Sequence, residues 1–86
     1  MSITKEFLRA AEEVKLLSSS PSNEDKLKLY GLYKQANNGN CTGSRPGYFY
    51  PVEQKKWDAW NKNKGLSEAD AQVQYIALVE SLKSKQ

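Results

Sequence analysis

An all-α fold, a bundle of four helices, is what this sequence predicts, and three observations predict it. Apolar residues recur at helical spacing along most of the chain. No segment sustains the period-two alternation of a half-buried strand. Turn-forming punctuation at Ser18-Ser19-Ser20-Pro21, at Asn37-Asn38-Gly39-Asn40 and at Gly65 cuts the chain into four pieces. With 86 residues there is room for one domain with one modest core, read here as residues 1–86. Amphipathic helices of this size bury their apolar stripes by packing against one another.

The first helix is expected over about residues 5–17, where Ile3, Phe7, Ala10, Ala11, Val14 and Leu17 form one stripe. The second is expected over 23–37. Ser22 can cap it, with Asp25 three residues on. Gly39 sits just past its end, where a left-handed residue is wanted. The stretch from Gly39 to Pro51 is long enough to cross a bundle, so the third helix, expected over 52–64 and stopped by Gly65, need not run antiparallel to the second. The fourth is expected over 68–84. Ser67 and Asp70 make a capping-box pattern, and Leu66 is placed to staple onto Ala71. Its stripe is Ala71, Tyr75, Leu78, Val79 and Leu82, flanked by Ile76.

Composition narrows the function. The chain has no histidine and one cysteine, Cys41. It can form no internal disulfide, and the usual zinc sites and histidine-based acid/base chemistry lack their residues. No metal, cofactor or catalytic residue is expected. Cys41 has no charged partner nearby in sequence and reads as structural or incidental. A net charge of +3 is too small to argue for nucleic acid, although it suits a small anionic ligand. The N-terminus lacks the apolar run of a signal peptide, Ser2 disfavours myristoylation, and Ser84-Lys85-Gln86 is no retention or peroxisomal address. No stretch approaches the length of a membrane span. A cytoplasmic monomer without membrane insertion is the expectation.

The second helix carries more pattern than a core face requires. Leu29, Leu32, Tyr33 and Ala36 make one stripe, and Leu27, Tyr30 and Lys34 make a second beside it. A leucine, a phenol and an ammonium together suit a ligand with an apolar part and a phosphate. From spacing alone the plainer reading is preferred, a tyrosine at the bundle edge beside a solvated lysine. In the third helix Trp57 and Trp60 share a face and are expected in the core, with Lys56 beside Trp60 at i, i+4. Tyr75 falls in a core stripe, so its hydroxyl needs a partner if buried or must reach the surface. Lys15 edges the stripe of the first helix, where a lone lysine is ordinarily solvated.

Four ordered blocks resemble the acyl-CoA-binding protein family, and together they cover nearly the whole chain. The most specific is Leu29-Tyr30-Gly31-Leu32-Tyr33-Lys34-Gln35-Ala36, which is similar to the family's tyrosine-x-x-tyrosine-lysine-glutamine-alanine signature. The others are Arg45-Pro46-Gly47, then Lys56-Trp57-Asp58-Ala59-Trp60-Asn61 with Lys64-Gly65, and Tyr75-Ile76-x-x-Val79-Glu80-x-Leu82. The resemblance implies an up-down-down-up four-helix bundle with a shallow bowl, and a non-catalytic carrier of medium- to long-chain fatty acyl-CoA esters. It further implies that Tyr30, Lys34 and Lys56 grip the 3′-phosphate, that Tyr33 and Tyr75 border the adenine, and that Lys15 lies near the headgroup. Leu27 would help to line the acyl groove. Lys26 stands where many members carry an apolar acyl contact, and its stem can cover the chain while the ammonium reaches water. Val52 and Gln54 replace lysines found in some members. A helical protein-interaction module without a lipid ligand is the alternative, and an acyl-CoA enzyme is disfavoured because no nucleophile–base pair stands out.

Overall fold

In the structure, a computed structural model, residues 3–85 are described. Met1, Ser2 and Gln86, on which the readings of the chain ends partly rest, lie outside the described residues. Three of the helices begin where a hydroxyl takes up a free amide. Thr4 Oγ1 accepts from the Phe7 amide at 3.1 Å to open α1, Lys5–Glu13. Ser22 Oγ accepts from the Asp25 amide at 3.1 Å to open α2, Asn23–Asn38. Ser67 Oγ accepts from the Asp70 amide at 3.0 Å to open α4, Glu68–Ser84. The remaining helix, α3, Pro51–Asn61, starts instead on a proline, whose fixed φ is already helical and whose missing N–H would have had no partner.

Two helices end earlier than the sequence predicts. The first was expected to reach residue 17, but α1 stops at Glu13 and tightens into a 3-10 turn over Val14–Leu16 before Leu17 turns extended. Tightening to i→i+3 bonds is how a last turn satisfies its carbonyls when the chain must leave. The third was expected over 52–64, but α3 runs from Pro51 to Asn61. After it, the amides of Asn63 and Lys64 donate to the carbonyls of Trp60 and Asn61 at 3.0 and 3.1 Å, and Gly65 turns the chain at φ 91°. Gly39 ends α2 at φ 74° and ψ −152°. The positive φ is as expected, but the ψ lies in the mirror-extended region open to glycine rather than in the left-handed helical one.

Contacts at the helix ends set the direction of each helix. Thr4 meets Gln72 and Glu13 meets Lys83, so α1 and α4 run parallel. Gln35 Nε2 donates to the Leu66 carbonyl at 2.7 Å, near the start of α4, while Leu17, Asp25 and Leu82 line one crevice at its end, so α2 runs antiparallel to α4. Lys56 lies over Tyr30 and Lys34 over Trp60, so α2 and α3 are parallel. The result is the up-down-down-up bundle.

The main packing links α3 to α2, α2 to α4 and α4 to α1. Helices joined in a row make a thin molecule, 36 × 30 × 15 Å. Phe7 and Ala10 of α1, Leu29, Leu32 and Ala36 of α2, and Ala71, Tyr75, Val79 and Leu82 of α4 form the buried core. No residue of α3 is fully buried. Trp57 and Trp60, expected in the core, are therefore half-buried. Gly31 explains how α3 seats at all. A Cβ there would lie 2.3 Å from the Ala59 carbonyl oxygen, so only glycine lets the two backbones approach this closely.

Candidate functional site

The hollow of interest opens between α2, the turn that follows α1, and α4. Lys26, Leu29, Tyr30 and Tyr33 lie along one side of α2 and line it, together with Val14 and Lys15 from the turn, Pro21 and Tyr75. Its volume is about 310 Å³, near the lower limit for a small-molecule site. The floor is aromatic. Phe7, fully buried, meets Tyr75 edge-on at 5.1 Å between ring centroids and stacks under Tyr33 at 5.6 Å. Tyr33 and Tyr75 stand 6.0 Å apart. Because Phe7 supports one face of Tyr33, whose residue is 43% exposed, a ring is held in place with surface left for a flat ligand group.

Burial pushes the Tyr75 phenol up from its ordinary pKa, and the neighbouring Tyr33 adds to the shift. At neutral pH Tyr75 is a neutral phenol. The cations stand around these rings. Lys56 Nζ lies 5.6 Å from the centre of the Tyr30 ring, which ties α3 to the rim of the hollow. Lys15 pairs with Glu12 at 3.6 Å, but with both side chains 70% or more exposed this pair holds the ammonium only loosely. The arrangement offers hydrogen-bond donors, ammoniums and aromatic faces, which suits a phosphorylated, ring-bearing ligand. Among the described residues no group of three or more His, Cys, Asp or Glu side chains could hold a metal ion.

Of the residues singled out from the sequence, Lys15, Lys26, Tyr30, Tyr33 and Tyr75 share this hollow, and Lys56 reaches it through Tyr30. Two do not. Lys34 turns its ammonium over Trp60, 4.8 Å from the ring centre. Lys56 and Trp60 remain one turn apart on α3, and parallel packing across Gly31 adds contacts that a wheel of either helix alone cannot reveal: Lys34 of α2 over Trp60 and Lys56 of α3 over Tyr30. Lys34 also draws down the Cys41 thiol, although burial has the larger effect and raises it. Cys41 thus has a charged neighbour in space that its sequence surroundings did not offer. Leu27 lines a different and larger hollow of about 640 Å³, with Leu32, Ala59 and Leu78 among its walls.

Sequence reasoning missed Phe7 as the support of the tyrosines, since its stripe marked it only as core. It also missed what Gln35 does. Its side chain is fully buried and donates to Asn40 Oδ1 at 2.9 Å as well as to the Leu66 carbonyl, and Asn40 Oδ1 accepts again from the Gly65 amide at 2.8 Å. Trp60 Nε1 donates to the Gly39 carbonyl at 2.8 Å. These bonds close the far end of α2 over the ends of α3 and the loop.

The sequence model described as "Acyl CoA binding protein" matches residues 4–79. The chain belongs to the acyl-CoA-binding protein family. It is 51% identical to an acyl-CoA-binding protein of Brassica napus over 82 residues, 95% of this chain and 89% of that one. Its fold superposes on the crystal structure of Oryza sativa Acyl-CoA-Binding Protein 2 with a TM-score of 0.89 at 47% identity, covering 94% of this chain and 88% of that one. It is also 49% identical over 80 residues to enoyl-CoA delta isomerase 2 of Rattus norvegicus, 93% of this chain but only 20% of that enzyme. Family membership thus extends to multi-part chains, in which the shared portion is a small fraction.

Proposed function

We propose that this protein is a non-catalytic carrier of medium- to long-chain fatty acyl-CoA esters, with the coenzyme's nucleotide in the tyrosine hollow. One observation carries the reading: Lys15, Lys26, Tyr30, Tyr33 and Tyr75, drawn from three parts of the chain, converge on one hollow, with Lys56 against Tyr30. The Tyr30 hydroxyl and the Lys56 ammonium hold the 3′-phosphate. Lys34 joins them by swinging its flexible stem off Trp60. Tyr33 and Tyr75 border the adenine, and Lys15 stands by the headgroup. Lys26 and Leu27 are neighbours on α2. A hydrocarbon chain leaving the tyrosine hollow across that turn meets first the stem of Lys26 and then Leu27.

The energetics divide the work. Partly exposed ion pairs bring about 0–1 kcal/mol each. Stacking the base on an aromatic ring brings about 1–3 kcal/mol. Methylenes bring about 0.8 kcal/mol apiece, so eight of them contribute roughly 6 kcal/mol. The tail dominates affinity and the headgroup sets identity. The carrier works as a cytoplasmic monomer and needs neither cofactor, metal nor nucleic acid. Among the described residues no helix is long and apolar enough to cross a membrane, so any bilayer contact is at its surface. Calorimetry with palmitoyl-CoA, free coenzyme A and palmitate tests the reading. The ester binds tightly, coenzyme A weakly and palmitate hardly at all. Equal affinity for coenzyme A and its palmitoyl ester refutes it, and conversion of the ester to another product on incubation refutes the absence of catalysis.

A further inference from the structure

The loop leading into α3 carries an apolar surface that the nucleotide hollow does not use. Tyr48, Phe49 and Tyr50 follow one another and are 77%, 79% and 63% exposed, and Val52 is 59% exposed. Tyr48 and Phe49 stack on each other, 4.5 Å between ring centres. The backbone beneath is tied down. Arg45 grips the Asp58 carboxylate through bonds of 2.8 and 2.9 Å, Gln54 Nε2 donates to the Pro46 carbonyl at 2.9 Å, and the Tyr50 amide donates to the Gly47 carbonyl at 2.9 Å. Contiguous apolar side chains held outward on a fixed frame mark a surface that is covered by something else in use.

Charge identifies what covers it. Of the chain's 13 basic and 10 acidic residues, five basic ones (Arg45, Lys55, Lys56, Lys62, Lys64) and two acidic ones (Glu53, Asp58) fall in residues 45–64. The remaining basic and acidic residues are equal in number, so the whole net charge of +3 belongs to this loop, α3 and the turn after it. The positive end of the α3 dipole lies next to the rings as well. Phenols prefer a boundary with one apolar and one wet side, and a region of net positive charge is drawn to anionic headgroups over about a Debye length. We propose that the Tyr48–Val52 segment docks this protein on anionic lipid bilayers, with the three rings at the headgroup–acyl boundary and the net positive charge of α3 and its flanking turns drawing this end of the molecule to the headgroups. The contact is made by the ligand-free protein and does not depend on the carrier reading. A few half-inserted rings and a small charge give weak, reversible binding.

Flotation of the ligand-free protein with vesicles tests it, using phosphatidylcholine alone and equal parts phosphatidylcholine and phosphatidylserine. The protein floats with the mixed vesicles, less so at high salt, and poorly with phosphatidylcholine alone. Phe49→Ser lowers its partitioning roughly tenfold, and Lys64→Glu lowers it on mixed vesicles only. Val73→Ser, a change at an exposed apolar residue of α4, leaves it as it is, and circular dichroism is the same for all. Failure of the wild type to float with mixed vesicles overturns the proposal, as does equal flotation of Phe49→Ser and wild type. Sedimentation showing a Phe49-dependent dimer in place of flotation overturns it too, and assigns the patch to a second copy of the chain.

Discussion

Replacing Gly31 by alanine sets two effects of opposite sign against each other, and the structure decides between them. Within a helix, alanine is better than glycine by about 1 kcal/mol, so propensity alone predicts a more stable protein. Here, however, the new Cβ would lie 2.3 Å from the Ala59 carbonyl oxygen, 2.7 Å from its carbon and 3.0 Å from Asn63 Nδ2. The asparagine can move, but the backbone carbonyl cannot move without α3. Restoring ordinary contact requires α3 to withdraw by about 1 Å. Forced overpacking costs about 1–3 kcal/mol, and a clash with backbone belongs at the upper end. The net loss is then about 1–2 kcal/mol, which lowers Tm by about 5–15 °C in a domain of this size. Thermal melting by circular dichroism, with urea titration alongside, reads this directly. Acyl-CoA affinity falls as well, since withdrawing α3 takes Lys56 away from Tyr30. A Gly31→Ala protein that melts at or above the wild-type temperature would falsify the close-approach reasoning.

Three further outcomes follow from the same contacts. Tyr30→Phe keeps the ring under Lys56 but removes the hydroxyl, and the lost charge-assisted bond weakens palmitoyl-CoA binding roughly tenfold or more; Lys56→Ala costs up to about fivefold. Calorimetry finding neither change rejects the residue assignment, provided the helical spectrum is unaltered. Tyr75 has a folded pKa raised by burial above its ordinary 10.0. Its contribution to stability is therefore intact below the unfolded value and lost as pH rises through the folded one. Tyr75→Phe should soften the alkaline loss of stability, and identical alkaline melting curves would contradict the burial argument. Arg45→Ala frees Asp58, whose carboxyl the guanidinium holds below its ordinary pKa. That contribution is present above the unfolded carboxylate pKa and disappears as pH falls through the folded one. Hydrogen exchange should quicken in α3 and in the loop before it while α4 stays protected; uniform exchange across both helices would show that the bridge holds nothing in place.

The legible parts of the fold were those that local chemistry determines. Ser22 and Ser67 could be read as caps because the partner amides are three residues away, whatever the rest of the chain does. The α1 and α4 stripes named most of the core for the same reason. The helix ends at Glu13 and Asn61 were not legible: apolar spacing continues past the first, and after the second Lys62-Asn63-Lys64 offers no breaker before Gly65, so only the path to the next element stops the helix. In the candidate site, the participation of Tyr30, Tyr33 and Tyr75 was legible through pattern and family resemblance. Which lysine meets which ring was not. Lys56 with Tyr30 and Lys34 with Trp60 depend on how α2 crosses α3 at Gly31, and a wheel of either helix alone carries no such information.

The division between core and tether bears on how the site works. The buried apolar core belongs to α1, α2 and α4, which makes these helices the rigid part. With the turn after α1 they also supply Tyr30, Tyr33, Tyr75 and Lys15, the part of the hollow that, on the proposed reading, receives a flat base. The remaining helix, α3, packs on α2 and is otherwise held by polar ties from the loop: Arg45 on Asp58, Gln54 on Pro46 and Trp60 on Gly39. Polar ties such as these, one exposed and two partly buried, are individually weak and break faster than a packed core opens. The helix that presents Lys56 to Tyr30 is thus the one best able to shift. On the proposed reading, a ligand whose phosphate sits between Lys56 and Tyr30 would draw α3 towards α2, and its departure would release that hold. The same loop ties that limit this movement also frame the aromatic patch at Tyr48–Val52. Any surface that engages the patch therefore acts on the helix that carries Lys56 to the rim of the hollow.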